Sequence, residues 1–214
     1  MAKNVNTPEA DVIVNAKGKL ELLFEKYGKM LLIVLGVIGV AVGGYFIYKN
    51  YADKKEEERI AKSEIAMSNA VASNSTEDAV NMAENKEFEG TAANNFANYL
   101  AAARLLQEGD LDAAESYIAK YADIEDTYIG EMINAAACAI RGDIAVERGN
   151  YDEAIAQFNN AIEMSDDMYT FVAMKEKLGR LYIKMGKRDE AVKCYEAIVA
   201  EYPDMEKAYA LYIW

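Results

Sequence analysis

Histidine is absent from the 214 residues, and proline and cysteine occur only twice each. Without imidazole there is no Ser-His-Asp or Cys-His nucleophile, no His-ligated zinc or haem, and no imidazole pH switch. The lack of proline, with Ala, Glu, Lys, Leu and Met abundant, predicts helix rather than sheet. Positive charge is scarce: 23 Lys and Arg face 36 Asp and Glu, a formal net charge of -13. A general nucleic-acid binder needs a basic footprint, so nucleic acid is not an expected partner. Cys138 and Cys194 belong to no CxxC and no metal-spaced cluster. Buried free thiols are the expectation, and the redox compartment stays open. No carboxylate motif isolates a catalytic pair, and no phosphate loop is present. The expectation is a protein that is not an enzyme and uses neither metal nor cofactor.

What the chain does have is unevenly placed. Residues 1–48 carry five Lys and four acids, whereas residues 49–214 carry 18 basic and 32 acidic groups. Near that boundary, Met30 to Tyr48 reads MLLIVLGVIGVAVGGYFIY, 19 residues without a charge between Lys29 and Lys49. As helix this spans roughly 28 Å, close to the ~30 Å hydrocarbon core of a bilayer. A buried core helix of that length would carry a polar stripe, and a signal peptide would be shorter and nearer the N-terminus. Residues 30–48 are therefore expected to be a transmembrane helix, with Tyr45, Tyr48 and Tyr51 in an aromatic belt. Basic residues tie across the run, five before it and five in about twenty positions after it, so charge counting does not orient it. Gly39 and Gly43 form a GxxxG that would let a second helix, from a partner or another copy, approach closely; glycine is also simply common in spans.

Residues 1–29 form a leader. Thr7-Pro8-Glu9 has the order of an N-cap, a first-turn proline and a first-turn acid. Val12, Ile13, Ala16, Leu20, Leu23, Phe24 and Tyr27 recur at helical spacing, interrupted by Gly18 and Gly28, and suggest an interfacial amphipathic helix. Residues 49–94 read as a charged exit helix followed by capping helices. Asn74-Ser75-Thr76 marks a break, with Thr76 as the expected cap of the next short helix.

The second half repeats itself. Leu178-Gly179, Tyr182, Ala191, Tyr195, Ile198 and Pro203 have the spacing of a tetratricopeptide repeat over 172–205. Gly142, Ala154, Phe158 and Ala161 give a second unit over 135–168. Ala102, Leu105, Gly109, Leu111, Ala114, Ile118 and Tyr121 give a divergent third over 95–128. A small residue is needed where two helices cross closely, with large apolar residues beside it. One turn signature recurs: Gly109-Asp110-Leu111-Asp112, Gly149-Asn150-Tyr151-Asp152-Glu153 and Gly186-Lys187-Arg188-Asp189-Glu190. Its glycine supplies the left-handed residue that ends the first helix, and its acids open the second. A single repeat cannot bury its own apolar face, so the units must stack. The tail 206–214 would cap the last of them, or present an apolar end to a partner or a second copy.

The fold class expected is thus all-α, one N-terminal transmembrane helix followed by a tetratricopeptide-repeat α-solenoid. Its concave face, lined by first helices, is expected to bind protein through Phe96, Tyr99, Leu106, Asp143, Val146, Glu176, Arg180 and Ile183. An extended or unfolded apolar segment is the natural ligand for such a groove. Residues 175–193 hold seven basic and three acidic groups, a local reversal of sign. Lys175, Lys177, Lys184, Lys187 and Arg188 would either steer an acidic partner or form a solvated face.

This order of parts resembles the bacterial ancillary subunit of the SecYEG translocon, as does the leader's Phe24-Glu25-Lys26-Tyr27-Gly28-Lys29 before the span. The resemblance covers essentially the whole chain and rests on architecture. It implies a single-pass protein of the bacterial inner membrane, with a cytoplasmic N-terminus and a periplasmic repeat domain. It further implies translocon subunits, periplasmic chaperones and unfolded clients as partners. The alternative is an assembly or regulatory factor that holds one folded partner of another envelope complex.

Overall fold

The computed structural model describes residues 8–125 and 127–213, with side chains from Gly36 onward. Contacts divide the chain into residues 1–58 and 59–214. Among the described residues the secondary structure is helical, with no strand.

The first unit is occupied by helix α1 (Pro8–Ser73). The expected interruptions at Gly18 and Gly28 are not found, because the helix runs straight through both. A glycine in a helix interior costs only about 1 kcal/mol relative to alanine, which its neighbours offset. The side chains of the amphipathic leader, and those of residues 30–35 of the apolar run, lie outside the described residues. From Gly36 onward the run is exposed within the chain, Val40 at 78% and Ile47 at 75%. A Cβ added at Gly39 or Gly43 would meet nothing within 4 Å. Among the described residues no helix is long and apolar enough to cross a membrane. Six of the 19 residues of the apolar run are not among those whose side chains are described.

The second unit begins with the end of α1, which stops where Asn74 turns left-handed at φ 51°. Asparagine tolerates that region better than most residues. The cap of α2 (Thr76–Ala83) is Ser75 rather than Thr76. Ser75 has the extended backbone a cap needs, and its hydroxyl accepts from Asp78 N–H. Thr76 lies inside the helix and donates instead to Glu108 Oε1 at 2.6 Å.

Three helix pairs follow: α3 (Ala92–Glu108) with α4 (Leu111–Ile118), α5 (Tyr128–Glu147) with α6 (Tyr151–Met164), and α7 (Met168–Lys184) with α8 (Arg188–Glu201). After a short 3-10 turn, Pro203–Met205, α9 (Glu206–Ile213) lies against α8. Gly109, Gly149 and Gly186 all take the left-handed conformation expected between the helices of a pair, at φ 84°, 78° and 74°. Helix α5 opens seven residues before 135, because Thr127 accepts from Gly130 N–H and starts it at Tyr128. Helix α7 likewise opens before 172, at Met168, where Asp167 accepts from Thr170 N–H.

Alanine sets the helix spacing. Ala97, Ala101, Ala102, Ala114, Ala137, Ala154 and Ala161 are completely buried, so backbones approach closely across the first two helix pairs. Larger side chains fill the gaps beside them: Ile118 and Tyr121 on the first pair, Phe158 on the second, Tyr195 and Ile198 on the third. The front of the stack is closed by the end of α1 and by α2. Met67, Ala70, Met82 and Phe88 pack there on Ala93 and Ala97. Arg104 ties the end of α1 down. It is 8% exposed and donates to the carbonyls of Ala70 and Ser75. A helix C-terminus leaves carbonyls without intrahelical donors, and a cation there also meets the negative end of the dipole.

Candidate functional site

The first helices α3, α5 and α7 position the side chains assigned to the binding face. Their register is fixed by two glycine crossings. A Cβ on Gly142 would lie 2.5 Å from Phe158 Cε1, and one on Gly179 would lie 2.6 Å from Tyr195 Cζ. Both pairs are 16 residues apart, so α5 sits on α6 as α7 sits on α8. Ala102 and Ile118 occupy the corresponding places in α3 and the segment of α4, both buried.

First helices are also tied to one another at the period of the repeat. Lys177 Nζ on α7 donates to both oxygens of Asp143 on α5, at 2.7 and 2.8 Å, across 34 residues. Tyr209 on α9 donates to Glu176 Oε1 on α7 at 2.7 Å, across 33 residues. Helix α9 packs on α8 and reaches α7 through this side-chain bond. A family model for a tetratricopeptide repeat-like domain matches residues 23–211. The chain belongs to that family. No curated protein and no solved structure gives a match.

Within this repeat domain the eight side chains expected to form one concave surface do three different jobs. Phe96, Tyr99 and Leu106 are half-buried packing groups. Phe96 stacks on Tyr99 at 5.5 Å between ring centroids, Tyr99 meets Tyr121 at 6.0 Å, and Leu106 lies on the first core cluster. Val146 lies on the second core cluster. Asp143 and Glu176 hold neighbouring helices together, and Glu176 additionally faces Arg180 at 3.6 Å. Arg180 and Ile183 are the ones that stand exposed, and Ile183 borders a cavity of about 240 Å³ with Val192, Leu211 and Tyr212.

The basic residues divide in the same way. Lys177 is half-buried, paired with Asp143 and 5.7 Å from the Phe158 ring, so it is a structural tie and not part of a free patch. Lys175 lies 5.6 Å over Phe171 and Lys184 5.4 Å over Tyr151. Cations over aromatic faces gain from the ring quadrupole, and their aliphatic stems cover apolar surface. Lys187 and Arg188 are exposed at the start of α8, next to Asp189 and Glu190.

Burial raises Tyr99, Tyr182 and Tyr195, and three further tyrosines are pushed up strongly. Burial first, and then donation to Glu84, pushes Tyr117 up to about 12. Burial and the nearby Asp123 push Tyr121 up to about 12. Burial and donation to Glu176 do the same for Tyr209, up to about 12. All three stay neutral donors through the physiological range. Both cysteines are buried, and burial pushes their thiols up, which makes them poor nucleophiles.

Two features of the surface are absent from the expectations raised by sequence. Tyr128 (64% exposed), Ile129, Met132 and Tyr169 present apolar surface at the opening turns of α5 and α7. Their exposure follows from the early starts of those helices, set by Thr127 and Asp167. The second is a cavity beside Asn94, Asn95 and Asn98. Three asparagines in five residues of a helix run against helix propensity, and that is the signal that could have found it.

Proposed function

We propose that the protein is a membrane-anchored scaffold that grips other polypeptides and works as an accessory subunit of the Sec translocon. In this reading it passes emerging chains to periplasmic chaperones. The observation that carries the scaffold role is the stack of helix pairs in a tetratricopeptide repeat-like chain, whose regular business is protein–protein contact. The exposed Tyr128, Ile129, Met132 and Tyr169 support it, since apolar groups on a repeat surface suit a polypeptide partner.

The anchor rests on the uncharged run 30–48 inside the continuous helix α1. The placement rests on the resemblance in architecture: N-terminus in the cytoplasm, repeat domain in the periplasm, in a bacterial inner membrane. The proposed activity is binding, with no chemical step.

Protease treatment of spheroplasts tests the topology. The repeat domain is expected to be digested from outside, and its protection would overturn the periplasmic placement. Photocrosslinking from Tyr128 and Tyr169, followed by extraction in mild detergent, tests the partners. Translocon subunits together with many unfolded chains are expected. One stoichiometric folded partner from another envelope complex would instead make the protein an assembly factor.

A further inference from the structure

Arg141 on α5 is a half-buried guanidinium without an acid beside it. Taking a cation out of water is costly unless an anion accompanies it, and this chain holds 36 acidic groups that could. Among the described residues, none of them forms an ion pair with Arg141. What Arg141 touches is neutral. Its Nη2 donates to the Ile118 carbonyl at 3.5 Å and its Nη1 to Cys138 Sγ at 3.9 Å. The first is long for an N–H···O bond, and a thiol sulfur is a weak acceptor. A guanidinium carries five N–H donors in a planar fork that matches a carboxylate, and most of that capacity is unused here.

Arg141 borders a cavity of about 200 Å³ between α4, α5 and the start of α6. Four charged side chains line it: Arg141, Arg148, Glu115 and Glu153. Arg148 is taken by Glu115 and by Asp112, each at 2.6 Å. Arg141 and Glu153 are left, one positive and one negative, and they do not pair with each other. Two opposite charges on one small cavity, too far apart to meet, suit a ligand that bears both signs.

The remaining walls narrow the ligand further. Arg148, Asn150 and Glu153 are exposed, so the cavity opens to solvent on their side. Ile118, Ile144 and Ala145 line it too but are nearly completely buried, so they offer a ligand little apolar surface. Affinity would therefore come from the two charges, with a small side chain between the walls. The volume lies below the usual range of ligand pockets, as a ligand of this size requires.

We propose that this cavity binds a small zwitterion, an α-amino acid with a short side chain, its carboxylate on the Arg141 fork and its ammonium on Glu153. The ligand class differs from the polypeptide partners proposed above, and the inference does not depend on them.

The test uses the full chain in mild detergent with L-alanine as probe, followed by calorimetry and through the Nε–H resonance of Arg141. A saturable response is expected. N-acetyl-L-alanine keeps the carboxylate and lacks the ammonium, and L-alaninamide does the reverse. Each is expected to bind at least tenfold more weakly, the loss of one charge-assisted contact. Arg141→Gln and Glu153→Gln are each expected to weaken L-alanine binding at least tenfold by calorimetry. Glu153 is exposed, so Glu153→Gln should keep the wild-type urea midpoint. In that variant the advantage of L-alanine over N-acetyl-L-alanine should vanish, which a merely structural role for Glu153 would not produce. No saturable response to L-alanine overturns the proposal, as does undiminished binding by Glu153→Gln. Acetate or inorganic phosphate binding as tightly as L-alanine also overturns it, since Arg141 would then be a general anion site.

Discussion

Replacing Gly142 by alanine sets two effects of known sign against each other. In an open helix the change would stabilise by about 1 kcal/mol, because alanine gives up less backbone entropy. Here the added methyl meets the Phe158 ring at 2.5 Å, where carbon atoms rest at about 3.5–4.0 Å apart. The ring must retreat by roughly 1 Å, the helices must part, or the side chain must leave its rotamer. There is no slack for any of these: Phe158 is 1% exposed, and Ala154 and Ala161 on the same helix are completely buried. Overpacking of a dense core costs about 1–3 kcal/mol. A rigid ring met head-on belongs at the upper end, so a net loss of about 1–2 kcal/mol is expected. Urea unfolding followed by far-UV circular dichroism checks it: the midpoint should fall with the slope unchanged. Phe158→Leu in the same chain should remove the clash, so the double mutant should lose less than the sum of the singles, by about 1 kcal/mol or more. Gly179→Ala meets Tyr195 at 2.6 Å and should behave alike. If both alanine variants leave the midpoint unchanged or raise it, the close crossing is not what fixes the helix pairs.

Three other outcomes follow from the same geometry. Lys177→Met should cost on the order of 1 kcal/mol through Asp143, and a double-mutant cycle with Asp143→Asn should show coupling that shrinks in 1 M salt; no coupling would make the pair incidental. Arg104→Met removes the donors from the Ala70 and Ser75 carbonyls and should cost about 2–4 kcal/mol, with hydrogen exchange in residues 59–73 rising first. Tyr117, Tyr121 and Tyr209 are held as neutral donors up to about 12 against an ordinary value of 10.0. Because the folded values are raised, their contribution is complete below pH 10 and is lost as the pH climbs from 10 to 12. The urea midpoint should fall in that window, and Tyr209→Phe should blunt the fall.

Local pattern was enough to set the helices and their crossings. Helix composition, the Gly109, Gly149 and Gly186 turns, and the small residue 16 positions ahead of a large ring are local statements. Each is dictated by backbone sterics or by a fixed helical period. They read correctly from the residues because nothing distant was needed to satisfy them. Cap identity was less legible: Ser75 and Thr76 are both good caps, and the choice fell to which backbone was extended.

The use of the polar side chains was settled by stacking alone. Asp143 and Lys177 read as groove and patch residues because helical position shows which face a residue occupies but not what stands opposite it. Stacking at the repeat period placed them 2.7 Å apart, so each is consumed by the other. The same stacking packs Tyr99 and Leu106, both half-buried, against the first core cluster. It also gave Asn95 and Asn134 peptide partners distant in the chain and left Asn98 Oδ1 without a donor. Hydrogen-bond satisfaction is a property of neighbours distant in the chain, and no period in a sequence encodes it.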